Sequence, residues 1–168
     1  MKVLILGAVV AVAALLSGAS ALAGDDGIVA SASGGYGFTG NAAGSFFDVQ
    51  PFTWNVQIHG DGSVHGRFNY TQVRDGNPLW AKGSLTCAVI QDGHVWAGGT
   101  IEESSRASLV GLDMWFQAHD YGEGADAQPD MSSTLGAGGP GTGQLYCDNH
   151  PAVLFPFLVE QGNVQVRG

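Results

Sequence analysis

Four carboxylates crowd into eleven residues of this chain: Asp120, Glu123, Asp126 and Asp130, with glycines at 122 and 124 between them. Such a segment can gather oxygen ligands for calcium, the one cofactor the sequence brings into view. Its spacing departs from the EF-hand loop, which needs ligands at alternate positions, a central glycine and a terminal glutamate. The favoured alternative has Asp120 and Glu123 accepting backbone N–H bonds within a tight connection, a common use of acidic residues in turns. The histidines at 59, 65, 94, 119 and 150 show neither the His-x-His nor the His-Glu-x-x-His spacing of a zinc site, and read as strand-end or surface residues. No Gly-x-Ser-x-Gly elbow, phosphate loop or dinucleotide fingerprint is present, so the sequence nominates no catalytic residue.

Cys87 and Cys147 are the only two cysteines, too few for a disulfide-dense miniprotein or an all-cysteine metal site. Their meaning depends on compartment. Lys2 followed by the apolar run Val3 to Leu16 and by Ala21-Leu22-Ala23 reads as a secretory signal over residues 1–23, cleaved before Gly24. The run is too short to span a bilayer, so no membrane insertion is expected once the signal is gone. In an oxidising compartment the two cysteines are expected to form a disulfide. Closing a loop of roughly 60 residues, it stabilises by about 4 kcal/mol on the chain-entropy account.

Fifteen acidic residues against six basic ones give a formal charge of −9, which argues against a nucleic-acid partner. Residues 24–168 have room for one domain. What positions the chemistry there is a series of hairpins. Phe52, Trp54, Val56 and Ile58 alternate along one face, and Val64, Gly66, Phe68 and Tyr70 do so after Gly60-Asp61-Gly62. A three-residue loop ending at Gly62 pairs Ile58 with Val64, Val56 with Gly66, Trp54 with Phe68 and Phe52 with Tyr70. A two-residue Asp75-Gly76 turn then pairs Tyr70 with Ala81, Phe68 with Gly83, Gly66 with Leu85 and Val64 with Cys87. A further three-residue loop, Gln91-Asp92-Gly93, is expected to pair Val89 with Val95, Cys87 with Ala97, Leu85 with Gly99 and Gly83 with Ile101. That register points Cys87 toward the core. A strand carrying Val110, Leu112, Met114, Phe116 and Ala118 on one face completes a five-stranded meander over residues 51–119.

Segments around Ile28 to Phe38, Ala152 to Val159 and Val164 to Arg167 offer further strands, while the glycine-rich stretch from Gly136 to Gly143 reads as a flexible surface loop. The expected fold is all-β: an antiparallel meander closing into a small barrel or barrel-like sandwich of about eight strands. Trp80, Trp96 and Trp115 fall on the face away from the core, either covered by the terminal segments or forming an exposed aromatic platform.

The series Gly60-Asp61-Gly62-Ser63-Val64-His65-Gly66, Gly83-Ser84-Leu85-Thr86-Cys87, Ala97-Gly98-Gly99 and Asp120 through Asp130, with its Gly-Glu-Gly-Ala-Asp core, resembles a family of small exported bacterial proteins. It is also similar to the β-domains that accompany surface-anchoring modules. The resemblance covers residues 50–168 and implies a secreted or cell-envelope bacterial β-domain, with no catalytic residue carried over. The leading expectation is therefore a non-enzymatic β-domain, structural or binding. A lipocalin-like barrel holding a small apolar ligand comes second, and an isomerase or cyclase at the barrel mouth third.

Overall fold

The structure is a computed structural model and describes residues 27–42, 45–74, 76–124, 126–152 and 157–168, without the side chains of 38–49 and 74. The expected signal segment, residues 1–23, lies outside the described residues, as does Asp75.

Among the described residues, ten strands and one α-helix follow in the order β1 (Ile28–Ala42), β2 (Ser45–His59), β3 (Val64–Arg74), β4 (Asn77–Gln91), β5 (His94–Ser104), β6 (Asp113–His119), β7 (Met131–Ser132), β8 (Gly136–Gly138), α1 (Thr142–Asn149), β9 (Phe157–Leu158) and β10 (Gln161–Arg167). They form one antiparallel sheet ordered β10-β1-β2-β3-β4-β5-β6-β7-β9, with β8 also paired to β6. The sheet curls into a half-barrel. The count exceeds eight because β7, β8 and β9 contain only two or three residues each.

The alternation of large apolar residues accounts for the inner face. Phe52, Val56, Leu85, Val95, Ile101, Met114 and Phe116 are fully or almost fully buried. Phe52 and Phe116 meet edge-to-face with centroids 4.8 Å apart, Trp54 tilts against Phe116 at 5.0 Å, and Tyr70 meets Phe52 at 5.3 Å. Such pairs add about 0.5–1.5 kcal/mol each beyond their buried area. Polar atoms inside are mostly tied down: Trp54 Nε1 donates to the Tyr36 hydroxyl at 3.1 Å, Tyr36 bonds Ser132, and the Tyr70 hydroxyl donates to Gln50. The Gln50 amide nitrogen has no hydrogen-bond partner among the described residues.

The β2–β3 hairpin has the expected register at all four pairs, and His59 and Ser63 bracket the loop through a 2.9 Å bond. The β3–β4 pairs Tyr70–Ala81, Phe68–Gly83 and Gly66–Leu85 also hold, but the ladder begins at Gly66–Leu85 and Val64 has no place opposite Cys87. The β4–β5 hairpin departs further. Its loop is the two-residue Asp92-Gly93 turn, with φ of +50° and +77°, so Gln91 pairs with His94, Ile90 with Val95 and Ala88 with Ala97. Positive φ at both central residues is the type I′ geometry that matches strand twist. A bulge at Thr86 absorbs the one-residue offset and restores Leu85–Gly99 and Gly83–Ile101. The same bulge turns Cys87 away from the core to stand opposite Gly98 on the outer face.

Three other expectations change. Val110 sits exposed in the turn after a short 3₁₀ segment at Ala107–Leu109, and the sixth strand starts only at Asp113, after Leu112. The stretch from Gly136 to Gly143 is ordered rather than a loose loop: Gly136–Gly138 pairs with β6, and Gly141 caps α1 with φ of +87°. Cys147 accordingly sits on a helix instead of in a polar connection. The Ala152 to Val159 run yields only Phe157–Leu158 as strand, and residues 153–156 lie outside the described residues.

Candidate functional site

The outward side of β5 and β6 carries three cross-strand rows. His94 stands opposite His119, Trp96 opposite Gln117, and Gly98 opposite Trp115. Each row continues onto the next segment: Met131 lies opposite His119, the Ser133 N–H donates to the Gln117 carbonyl at 2.9 Å, and Gly136 lies opposite Trp115.

The third row seats the helix. A Cβ on Gly98 would lie 2.6 Å from the Gly143 carbonyl oxygen and 2.8 Å from the Cys87 sulfur, so α1 rests directly on the strand. Cys87 and Cys147 bond there, with Sγ atoms 2.08 Å apart and Cα atoms 6.3 Å apart, inside the range a disulfide requires. Asp113 accepts the Gly143 N–H at 3.2 Å and holds the helix start. Gly136 and Gly138 lie flat against the Trp115 indole.

The middle row is organised by Gln117, a buried polar residue. Its Nε2 donates to the Tyr146 hydroxyl at 2.6 Å and to the Pro151 carbonyl at 3.2 Å. A carbonyl only accepts, so the NH₂ end must face Pro151 and Oε1 must face His94. His94 Nε2 then carries the proton of the 2.8 Å bond to Gln117, leaving Nδ1 with its lone pair. Burial pushes the His94 imidazole below its ordinary pKa, His119 adds to the effect and the bond to Gln117 opposes it. Burial likewise pushes the Tyr146 phenol up. Both groups are therefore neutral near pH 7, and among the described residues one keeps an acceptor and the other a hydroxyl proton without a hydrogen-bond partner.

The first row is a file of rings. Tyr121 stacks on His119 at 4.1 Å, His119 tilts toward His94 at 4.9 Å, His94 stacks on Trp96 at 3.8 Å, and His150 tilts against Trp96 at 5.2 Å. Trp96 Nε1 donates to the Pro151 carbonyl at 3.1 Å. Two cavities open along this face on either side of Gln117. One of about 190 Å³ is lined by His94, His119, Tyr121 and Met131, and one of about 330 Å³ by Trp115, Thr134, Tyr146 and Pro151.

The three tryptophans do not share one platform. Trp96 and Trp115 lie under the segments that follow β7, whereas Trp80 is separate and partly exposed, its backbone bonded to Ser104 and Ser105. The acidic loop acts as a seam. Asp120 accepts the N–H groups of Gly122 at 2.7 Å and Val166 at 2.9 Å, Asp130 those of Tyr121 at 3.0 Å and Val164 at 2.8 Å, and Glu123 bonds Asn163. Asp126 is exposed. Among the described residues, no three His, Cys, Asp or Glu side chains come together in a group able to hold a metal. A larger depression of about 400 Å³ over β2–β5 is lined by charges that are already paired, Arg67 with Glu102 at 3.2 Å and Lys82 with Glu103 at 3.0 Å.

No protein-family model, curated protein or solved structure matches this chain. The site therefore rests on its own geometry. Gln117, Tyr146 and Met131 were not singled out in the sequence. The one signal for Gln117 was the alternation Trp115-Gln117-His119 on the side of β6 away from Met114 and Phe116; Tyr146 on α1 and Met131 on β7 had none.

Proposed function

We propose that this chain is a non-enzymatic β-domain of the extracellular space or cell envelope, of the exported bacterial kind its motifs resemble. It binds its ligand on the outer face of β5 and β6. The observation that carries this reading is where space is found. The inner face is filled by rings in contact, Phe52, Trp54 and Phe116 at their centre, whereas the trough around Gln117 opens outward. A lipocalin-like carrier needs a vacant interior, and a filled one favours the outer-face reading. The disulfide suits an oxidising compartment, and among the described residues no helix is long and apolar enough to cross a membrane.

The test uses protein collected from culture medium. Its intact mass should begin at Gly24. Titration with a fluorescent fatty-acid analogue should give no saturable signal. Saturable binding that unlabelled fatty acid displaces would overturn the outer-face reading in favour of an interior carrier.

A further inference from the structure

We propose that His94, His119 and Met131 form a binding site for monovalent copper, an assignment that rests on the outer-face reading and names its ligand. The three residues come from three adjacent strands. His94 of β5 is the register partner of His119 on β6, and His119 is in turn the partner of Met131 on β7. Directly opposed residues of antiparallel strands share a face, with Cβ atoms about 4.5–5.5 Å apart. Two imidazoles and a thioether thus stand in one row and line the same cavity of about 190 Å³.

Each donor is poised in a way its neighbours explain. His94 Nε2–H is engaged by Gln117 Oε1, which leaves Nδ1 as the open ligand atom. Metal-binding histidines are characteristically held this way, the far ring N–H donating to an oxygen that fixes tautomer and orientation. Neither ring nitrogen of His119 has a hydrogen-bond partner among the described residues, and its plane is set by stacking on Tyr121 at 4.1 Å. Met131 is a half-buried residue whose sulfur takes the Tyr121 hydroxyl at 3.7 Å, so the thioether lies with the cavity lining and not in the core. On β7 it is the neighbouring Ser132 that is buried, bonding Tyr36.

The donor set selects the ion. Thioether sulfur is a soft ligand that favours copper(I), and imidazole serves copper well. Calcium and magnesium need several oxygens, but both nearby carboxylates, Asp120 and Asp130, already spend each oxygen on a backbone N–H. Zinc in a closed site takes four ligands from thiolate, imidazole and carboxylate, and no such group exists among the described residues. A formal charge of −9 favours approach of a cation. The β2–β3 hairpin supplies an internal comparison: His59 and His65 have ring centroids 5.2 Å apart, and neither has a methionine among its register partners.

The experiment titrates disulfide-intact protein, anaerobically and under ascorbate, into the coloured copper(I) complex of bicinchoninate, with free thiols counted before and after. The protein should withdraw one equivalent of copper. Met131→Leu, an apolar swap that conserves volume, should weaken binding at least about tenfold, as His94→Ala should also. His65→Ala should leave affinity unchanged. X-ray absorption at the copper edge should report mixed nitrogen and sulfur ligation. Folded, thiol-free protein that withdraws no copper, Met131→Leu protein that binds as tightly as the parent, or a shell of nitrogen and oxygen alone would each overturn the assignment. Those results would leave the outer-face reading standing, because that reading fails only if fatty acid is bound inside.

Discussion

Asp130 Oδ2 accepts the backbone N–H of Val164 at 2.8 Å, tying the loop after β6 to the last strand. The other oxygen of the same carboxylate holds the Tyr121 N–H, and Asp120 repeats the device two residues further along β10 at Val166. The curl of the sheet is thus secured by side-chain acceptors where the strand ladder is shortest. Asp130→Ala should destabilise by about 1–3 kcal/mol, since it strands a buried N–H, and Asp130→Asn by less because one carbonyl acceptor remains. Denaturant unfolding measures the difference, and hydrogen exchange should place the loss in β10.

The Cys87–Cys147 bridge fastens α1 to the outer face and not to the core. Reduction should therefore loosen α1 and the residues after Gly136 more than the β2–β3 and β4–β5 hairpins, whose turns close locally. Region-by-region hydrogen exchange on oxidised and reduced protein checks this, and uniform loss of protection would show that the bridge supports the whole sheet.

Gly62 and Gly93 both have positive φ, of +85° and +77°. Either replaced by Val should cost more than about 1 kcal/mol, because β-branched residues resist that conformation. The two should not be equal. A Cβ at Gly62 meets open space, whereas one at Gly93 would lie 2.6 Å from the Asp120 carbonyl oxygen. Gly93→Val should be the more damaging, as read from unfolding midpoints.

Burial pushes the phenols of Tyr36 and Tyr70 far above their ordinary value, Tyr36 also facing the Asp130 carboxylate. A raised folded pKa stabilises fully below the unfolded value of about 10, and that stability is lost as pH rises past it. Stability should therefore fall above about pH 10, with phenolate absorbance of these two residues appearing only as the protein unfolds. Tyr36→Phe should flatten the alkaline slope while lowering stability at neutral pH, since Trp54 and Ser132 lose a partner.

The hairpins were legible in the amino-acid sequence because both of their determinants are local. Asp-Gly turns set the loop, and two-residue alternation leaves one register in which Phe52, Trp54, Phe68 and Tyr70 share a face. The bulge at Thr86 carries no comparable mark. It follows from reconciling the tight Asp92-Gly93 turn with the Leu85–Gly99 pairing further down the strands, and it alone sends Cys87 outward. The helix that receives it is eight residues long, too short to announce a period, and is held by tertiary contact with Gly98. The row of His94, His119 and Met131 is further still from the sequence pattern. His119 and Met131 are joined by a loop whose flanking residues Asp120 and Asp130 are bonded to β10, a non-local closure that no local propensity encodes. The sequence by itself determined the long strands of the meander, the positions of their Asp-Gly turns and the apolar face of the β2–β3 hairpin. Only the folded chain decided which outward side chains became neighbours, because that depends on pairings between segments far apart along the backbone.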